Sequence, residues 1–272
     1  MADPGDRWAR VDRGARRSGG AGPARWALPL LPRCRGAAPV SAPLLSCRGL
    51  VVGHAGRPLL PPVEIEVEPG QLWAVLGRNG SGKSTWFRTV LGLIPPISGQ
   101  VERADALRIA YIAQRMRFDD LYPVTVGEVV RMGCLERWGR RARGCYDRIE
   151  RALEATGATA LRDRTFRSLS EGQKQRALLA RMVASEAQIA ILDEPTAAMD
   201  SVAERQALEL IDEVRGRFGV AVLLVSHNLA EARARADRVL FLDPDGQRVV
   251  IGSPREVFQD EAFRARYNVG AP

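Results

Sequence analysis

The chain has 272 residues, of which 46% are hydrophobic, and this is enough apolar material for one large domain or two lobes. No apolar run approaches the roughly 20 residues that a membrane-spanning helix needs, so a role at a membrane would require a partner. The four cysteines have no C-x-x-C spacing and indicate reduced thiols without a disulfide or a bound metal.

The net charge of +8 is concentrated at the N-terminus. Residues 1–48 contain nine Arg and three Asp and therefore carry +6 of this charge. Because the segment is rich in Arg, Gly, Pro and Ala and lacks periodicity, we expect residues 1–43 to form a disordered basic extension. Arg16 and Arg17 resemble a twin-arginine signal, but glycines and prolines break the apolar run behind them. We therefore expect neither export nor nucleic-acid binding.

The first regular segments, from about Leu44, predict antiparallel strands. In VEIEVEPG, Val63, Ile65 and Val67 alternate with acidic residues, which is the period of a half-buried strand. The following run LWAVL, residues 72–76, is continuously apolar and therefore predicts a strand buried in a parallel sheet.

Directly behind this run, residues 77–85 read GRNGSGKST and match the phosphate-loop pattern G-x-x-x-x-G-K-S. KSTWFRTVLGLI predicts the helix that must follow, continuing up to Pro95. Glycines allow backbone N–H groups to turn toward an anion, and the helix N-terminus adds a positive dipole. Lys83 is one of only two lysines among forty basic residues, which favours a need for a compact ammonium at this position.

We expect this loop to bind the phosphates of a nucleotide with Mg²⁺. Lys83 would contact the β- and γ-phosphates, and the Ser84 hydroxyl would be a metal ligand. The other nucleotide-binding residues predicted in the loop are Gly77, Asn79, Gly80, Ser81, Gly82 and Thr85.

Several later strands are predicted to end in polar residues. RIAYIAQ ends at Gln114, and VAVLLVS is followed by His227. The buried strand in QIAILDEP ends at Asp193 and Glu194. Ligands of open α/β sheets bind at the carboxyl ends of strands, so we expect these carboxylates at the site.

Local signals also predict where helices begin and end. Thr125 to Glu128 and Ser170 to Gln173 have capping-box spacing, so a helix should follow each. Gly157 should end the helix in YDRIERALEATGA. Near the C-terminus we predict a hairpin turning at 244–246 and a helix beginning at Ser253 with Pro254 at its first position.

Taken in order, these motifs resemble the ATP-binding-cassette (ABC) ATPases over nearly all of residues 44–260. The motifs are GRNGSGKS, Gln114, LSEGQKQR from Leu169, ILDEP from Ile191, Asp200 and His227. The resemblance implies an α/β fold of the P-loop NTPase type with a parallel core sheet, an antiparallel β-subdomain and a helical subdomain over about 115–185. The whole ATP-binding domain would span residues 44–268. It also implies a head-to-tail dimer, expected to be a homodimer, with two ATP molecules in its interface.

The resemblance assigns chemical roles to residues that are far apart in the sequence. Gln114 would join Ser84 as a metal ligand, and Asp193 would hold the metal through water. Glu194 would orient or deprotonate the attacking water, and His227 would contact the γ-phosphate and Glu194. Such a site works by positioning and charge stabilisation, as phosphoryl transfer requires.

Further nucleotide contacts follow from the same resemblance. Ser170, Gly172 and Gln173 would approach the γ-phosphate of the opposite subunit's ATP, and Asp200 belongs to the same nucleotide-binding set. Two positions depart from the family pattern. Glu171 stands where the family usually has glycine, and His54 replaces the aromatic residue that stacks on adenine, which should weaken ATP binding.

The stretch from Tyr111 to Gly133 is similar to the region after the glutamine loop in ATPases of zinc and manganese importers. We therefore expect an ATPase at the cytoplasmic face of the inner membrane that powers a separate permease for divalent metal import. A substrate-binding protein would act with it indirectly. Alternatives are the ATPase of a ferric-siderophore or cobalamin importer, or a non-transport ABC ATPase such as an iron-sulfur assembly factor.

Overall fold

The computed structural model describes residues 42–113, 123–135 and 144–268. The predicted extension up to residue 41, the predicted metal ligand Gln114 and residues 114–122 of the importer-like stretch lie outside these ranges.

The described residues form the following strands and helices in chain order: β1 (Leu45–Val51), β2 (Gly53–His54), β3 (Arg57–Pro58), β4 (Val63–Val67), β5 (Leu72–Leu76), α1 (Lys83–Val90), β6 (Ser98–Arg103), β7 (Ile109–Ile112), α2 (Val126–Met132), α3 (Cys145–Ala155), α4 (Glu171–Ala184), β8 (Ile189–Asp193), α5 (Ser201–Phe218), β9 (Ala221–Val225), α6 (Leu229–Arg235), β10 (Arg238–Asp243), β11 (Arg248–Gly252), α7 (Pro254–Gln259) and α8 (Glu261–Tyr267). Short 3₁₀ turns cover Thr159–Leu161 and Phe166–Ser168. Every helix among these residues is too short or too polar to cross a bilayer.

A mainly parallel sheet carries the candidate site. Its strands lie side by side in the order β11-β10-β5-β9-β8-β7, and only β11 runs antiparallel to its neighbour. Along β8, Ala190 and Leu192 face one hydrophobic core while Ile189 and Ile191 face another. Both faces of the sheet are therefore covered, which is why its strands read as continuous apolar runs. The parallel core predicted from the sequence is confirmed.

A second, antiparallel sheet has the order β4-β1-β6. The strands predicted before the phosphate loop are confirmed as β1 and β4, with Cys47 opposite Ile65. Strand β6 was not predicted, because its residues SGQVER are polar and almost all exposed. Its strand conformation comes from pairing with β1, in which Cys47 also faces Val101.

Side-chain caps fix the helix starts as the sequence predicts. The Thr125 hydroxyl accepts a hydrogen bond from the Glu128 N–H at 3.3 Å, and Ser170 accepts one from the Gln173 N–H at the same distance. Both capping boxes are complete, since the side chain of Glu128 or Gln173 also bonds back to the backbone of the cap residue. The end of α3 before Gly157, which has φ +62°, is also confirmed.

The predicted length of the first helix is wrong. Helix α1 ends at Val90 and does not continue to Pro95. Gly92 adopts φ +75°, and the Leu93 N–H donates to the Arg88 carbonyl at 2.8 Å. This bonding closes the helix in a Schellman-type turn, so the apolar spacing of the residues beyond it is not helical.

Candidate nucleotide site

The phosphate-loop residues connect β5 to α1 and lie at the carboxyl edge of the parallel sheet. Gly82 caps α1 with φ +90°, and a Cβ there would lie 2.6 Å from Leu59 Cδ2. The left-handed backbone conformation therefore favours glycine at this position, and the Leu59 side chain packs directly against it. The same contact brings the chain that follows the β2–β3 hairpin against the loop.

Lys83 is folded back into the loop. Its ammonium donates to the carbonyl oxygens of Gly77 at 2.7 Å and Arg78 at 2.9 Å, and the residue is only 8% exposed. Burial lowers the pKa of Lys83, while the charges of Glu194 and then Asp193 oppose this shift. The ammonium thus lies close enough to both carboxylates to interact with them.

Ser81 adds an unusual feature to the loop. The residue is 2% exposed, and its Oγ has no hydrogen-bond partner among the described residues. A buried hydroxyl without a partner is costly and calls for an explanation. Together with the Lys83 ammonium and the N-terminus of α1, it provides the donors that a phosphate group needs, so the residues fit a bound nucleotide.

The two carboxylates lie at the end of β8, where Asp193 is the last residue of the strand and Glu194 follows it directly. The Glu194 N–H donates to the Val225 carbonyl of β9 at 3.2 Å, and Glu194 itself adopts φ +49°. A non-glycine residue in this region costs about 1–3 kcal/mol, and such residues cluster at functional sites. The surrounding strands therefore hold Glu194 in one particular orientation.

His227 lies at the end of β9 and contacts Glu194. Its Nε2 is 2.5 Å from Glu194 Oε1, and its side chain is 48% exposed while that of Glu194 is 15% exposed. The pair therefore has one sheltered carboxylate and one ring open to a ligand. The structure brings together Lys83, Asp193, Glu194 and His227, as the strand-end argument predicts.

The sequence analysis did not identify Tyr111 as a site residue. Its hydroxyl donates to Asp193 Oδ2 at 3.0 Å. Burial and the nearby Asp193 charge raise the pKa of Tyr111 to about 12, so the phenol is a donor at neutral pH. The contact depends on β7 pairing with β8 in a register that sets Tyr111 beside Ile191, and the sequence alone carries no signal for that register.

The remaining predicted contacts lie at the starts of other elements. Ser170 is the exposed N-cap of α4, with Gly172 and Gln173 in its first turn. Asp200 caps α5 by accepting from the N–H groups of residues 202 and 203 at 3.0 and 2.8 Å. His54 is exposed in the β2–β3 hairpin.

Glu171, the departure from the family pattern, is paired within its own helix. Its carboxylate accepts from the Lys174 ammonium at 2.7 Å. Lys174 is the second of the two lysines in the chain. The pair reduces the negative charge that Glu171 would otherwise place at the start of α4, although exposed pairs of this kind contribute little to stability.

Comparison with known proteins identifies the family of this chain. The family model described as ABC transporter matches residues 60–197. A zinc import ATP-binding protein, ZnuC, from Ruegeria sp. (strain TM1040) is 37% identical over 227 residues, which are 84% of this chain and 87% of the relative. ZnuC of Cereibacter sphaeroides is 38% identical over 84% of this chain and 89% of its own length.

A solved structure agrees with these matches. It is described as an inward-facing conformation of a metal-chelate type ABC transporter, and it superimposes with a TM-score of 0.74 at 29% identity. The match covers 83% of this chain and 89% of the other.

Proposed function

This chain belongs to the ABC transporter family, and we propose from that premise that it hydrolyses ATP at the Lys83–Glu194 site to drive zinc import. It is an ATP-binding and ATP-hydrolysing subunit, peripheral to the membrane, that acts with a membrane permease. The observation that supports the site most directly is the convergence of Lys83 from the start of α1 with Glu194 and His227 from the ends of β8 and β9.

The phosphate loop binds and orients ATP in this proposal. The Lys83 ammonium stays on the Gly77 carbonyl and donates its other N–H groups to β- and γ-phosphate oxygens, and the Ser81 hydroxyl gains the partner it lacks within the described residues. Mg²⁺, when bound, neutralises charge on the phosphates. Ser84 and Gln114 would be its direct ligands, and Asp193 would hold it through water.

Glu194 performs the proton chemistry. Its sheltered carboxylate orients the attacking water and accepts a proton from it, which a positioned general base can do. His227 holds this carboxylate at 2.5 Å through Nε2 and can reach a γ-phosphate from its exposed side. The fixed backbone of Glu194 keeps the geometry constant from one turnover to the next.

The second half of the site would come from another copy of the chain. Ser170, Gly172 and Gln173 offer the N-terminus of α4 to the γ-phosphate of the opposite subunit in a homodimer. Asp200 would contribute near the same interface, and His54 would stack on adenine. We propose domain limits of 44–268, with the helical subdomain over about 115–185.

Zinc as the transported ion is supported by the ZnuC relatives at 37% and 38% identity. We propose that the chain works at the inner face of the cell membrane and that a substrate-binding protein delivers zinc to the permease. The metal-chelate type transporter, at 29% identity, favours a chelated metal as the second candidate substrate.

The zinc proposal is tested by deleting this chain in its own cells and starving them of metal. Cellular zinc, measured by mass spectrometry, should fall while manganese and iron stay constant. The wild-type chain should restore zinc, whereas a Glu194→Gln chain made at the same level should not. Unchanged zinc together with a loss of iron would support the chelate importer instead.

Tyr111→Phe tests the hydrogen bond to Asp193. Without the hydroxyl, the Asp193 carboxylate, which is proposed to hold Mg²⁺ through water, is no longer fixed in orientation. The Mg²⁺ concentration for half-maximal ATPase activity should therefore rise about tenfold. Tyr146→Phe is the matched control, since Tyr146 is exposed on α3 and should leave the Mg²⁺ requirement unchanged. Equal Mg²⁺ requirements in both variants would contradict a role for Tyr111.

A further inference from the structure

The last described helix, α8, packs beside the strand that leads into the phosphate loop. Phe263 is fully buried, and its ring centroid lies 5.1 Å from that of Phe241 in β10. The ring of Tyr267 lies 4.8 Å from that of Phe263. Phe241 and Phe263 share a hydrophobic cluster with Leu76, the last residue of β5. These contacts fix α8 against the strand end from which the loop begins.

Arg266 joins α8 to the turn between β10 and β11. Its guanidinium contacts the carboxylate of Asp243 and lies 3.2 Å from that of Asp245. The Asp243 side chain is only 9% exposed, whereas that of Asp245 is 70% exposed. A nearly buried carboxylate needs a paired cation, so Asp243 depends on Arg266.

The chain next to Asp243 touches the first residue of the phosphate loop. A Cβ on Gly77 would lie 2.8 Å from the Leu242 carbonyl oxygen, so β10 and the loop are in direct backbone contact. Gly77 is also the residue whose carbonyl accepts the Lys83 ammonium at 2.7 Å. A shift of the end of β10 would therefore move a group that positions Lys83.

A small cavity lies between the loop and this turn. Its volume is about 250 Å³, and it is lined by residues 78–81 of the loop on one side and by Asp243, Asp245 and Arg266 on the other. Tyr267 reaches the same region. Burial raises its pKa, and a hydrogen bond from the Gly77 backbone opposes this rise. The cavity walls therefore join the loop to the β10–β11 turn and to α8.

We propose that α8 positions the phosphate loop, with Arg266 acting through Asp243 and Leu242 to hold Gly77 where its carbonyl can orient Lys83. Arg266 and Tyr267 are positioning residues in this proposal, since Arg266 acts through Asp243 and Tyr267 acts through the Gly77 backbone. The inference rests on the proposed function, because it requires that this loop bind ATP.

The test is Arg266→Gln in the full chain, with ATP affinity measured by displacement of a fluorescent ATP analogue. The Kd and the KM for ATP should rise about fivefold, the size of a modest coupling between two sites. The kcat at saturating ATP should stay the same, because Glu194 and His227 are held by β8 and β9 and not by α8. A purely structural role would lower the amount of folded protein without changing the KM.

Two further variants make the test specific. Arg264→Gln removes the same charge from the same helix, and Arg264 makes no ion pair among the described residues, so its KM should equal that of the wild type. The double variant Asp243→Asn with Arg266→Gln should have the same KM for ATP as Arg266→Gln alone. Both changes break the same ion pair, so the second change adds no further loss. If Arg266→Gln proves unstable, Tyr267→Phe can be used in its place. It keeps the aromatic ring and should also raise the KM.

The possible outcomes separate this inference from the proposed function. If Lys83→Ala abolishes ATP binding while Arg266→Gln and Tyr267→Phe behave like Arg264→Gln, the positioning role of α8 is wrong. If Lys83→Ala binds ATP as well as the wild type, the loop is not the nucleotide site and the proposed function fails first.

Discussion

Glu194→Gln should lower the kcat for ATP hydrolysis by about 10²- to 10⁴-fold, which is the usual contribution of a general base. The amide has nearly the same shape as the carboxylate and can still contact His227, but it cannot accept the proton of the attacking water. ATP binding should be retained, since in the proposed site the loop around Lys83 holds the phosphates. Phosphate release measured at saturating ATP gives the kcat, and size-exclusion chromatography with ATP should show more dimer than for the wild type.

Glu213→Gln provides the control for this experiment. Glu213 is exposed on α5 and loses the same charge outside the site, so its kcat should match that of the wild type. Turnover of Glu194→Gln at the wild-type rate would contradict the role of Glu194 and would leave the short contact with His227 without a chemical purpose.

Lys83→Ala should weaken ATP binding by about 100-fold, as expected when a charge-assisted hydrogen bond to a phosphate is lost. The ammonium is held in the loop by two carbonyl oxygens, and the residue is only 8% exposed, so an alanine leaves this position without a cation. Isothermal titration with ATP in the presence of Mg²⁺ measures the change.

Lys83→Arg distinguishes charge from shape at the same position. A guanidinium keeps the charge, but its planar fork does not match the compact space between the carbonyls of Gly77 and Arg78. We expect its affinity for ATP to be close to that of the alanine variant. Wild-type affinity in Lys83→Arg would mean that charge alone is needed, and the scarcity of lysine in this chain would then say nothing about the site.

Most of the candidate site could be predicted because its signals are local or follow from strand order. The capping boxes at Thr125 and Ser170 depend on residues three positions apart, and the structure contains both. Asp193, Glu194 and His227 come after apolar runs that form strands. The strands β8 and β9 are adjacent and parallel, so their carboxyl ends lie at the same edge of the sheet. The strand β6 had no comparable signal, since its residues are polar. Helix α8 was missed although Asp260 caps it by accepting a hydrogen bond from the Phe263 N–H at 3.0 Å.

The sequence by itself determined the phosphate-loop pattern, the buried parallel strands and the polar residues that follow them, because each depends on a few neighbouring residues. The tertiary structure alone decided the Tyr111–Asp193 hydrogen bond and the contacts that lead from Arg266 to Gly77 through β10. These contacts join residues from different elements, so they exist only when strand register and packing bring the groups together. Register and packing depend on the whole hydrophobic core, which no short stretch of the chain specifies.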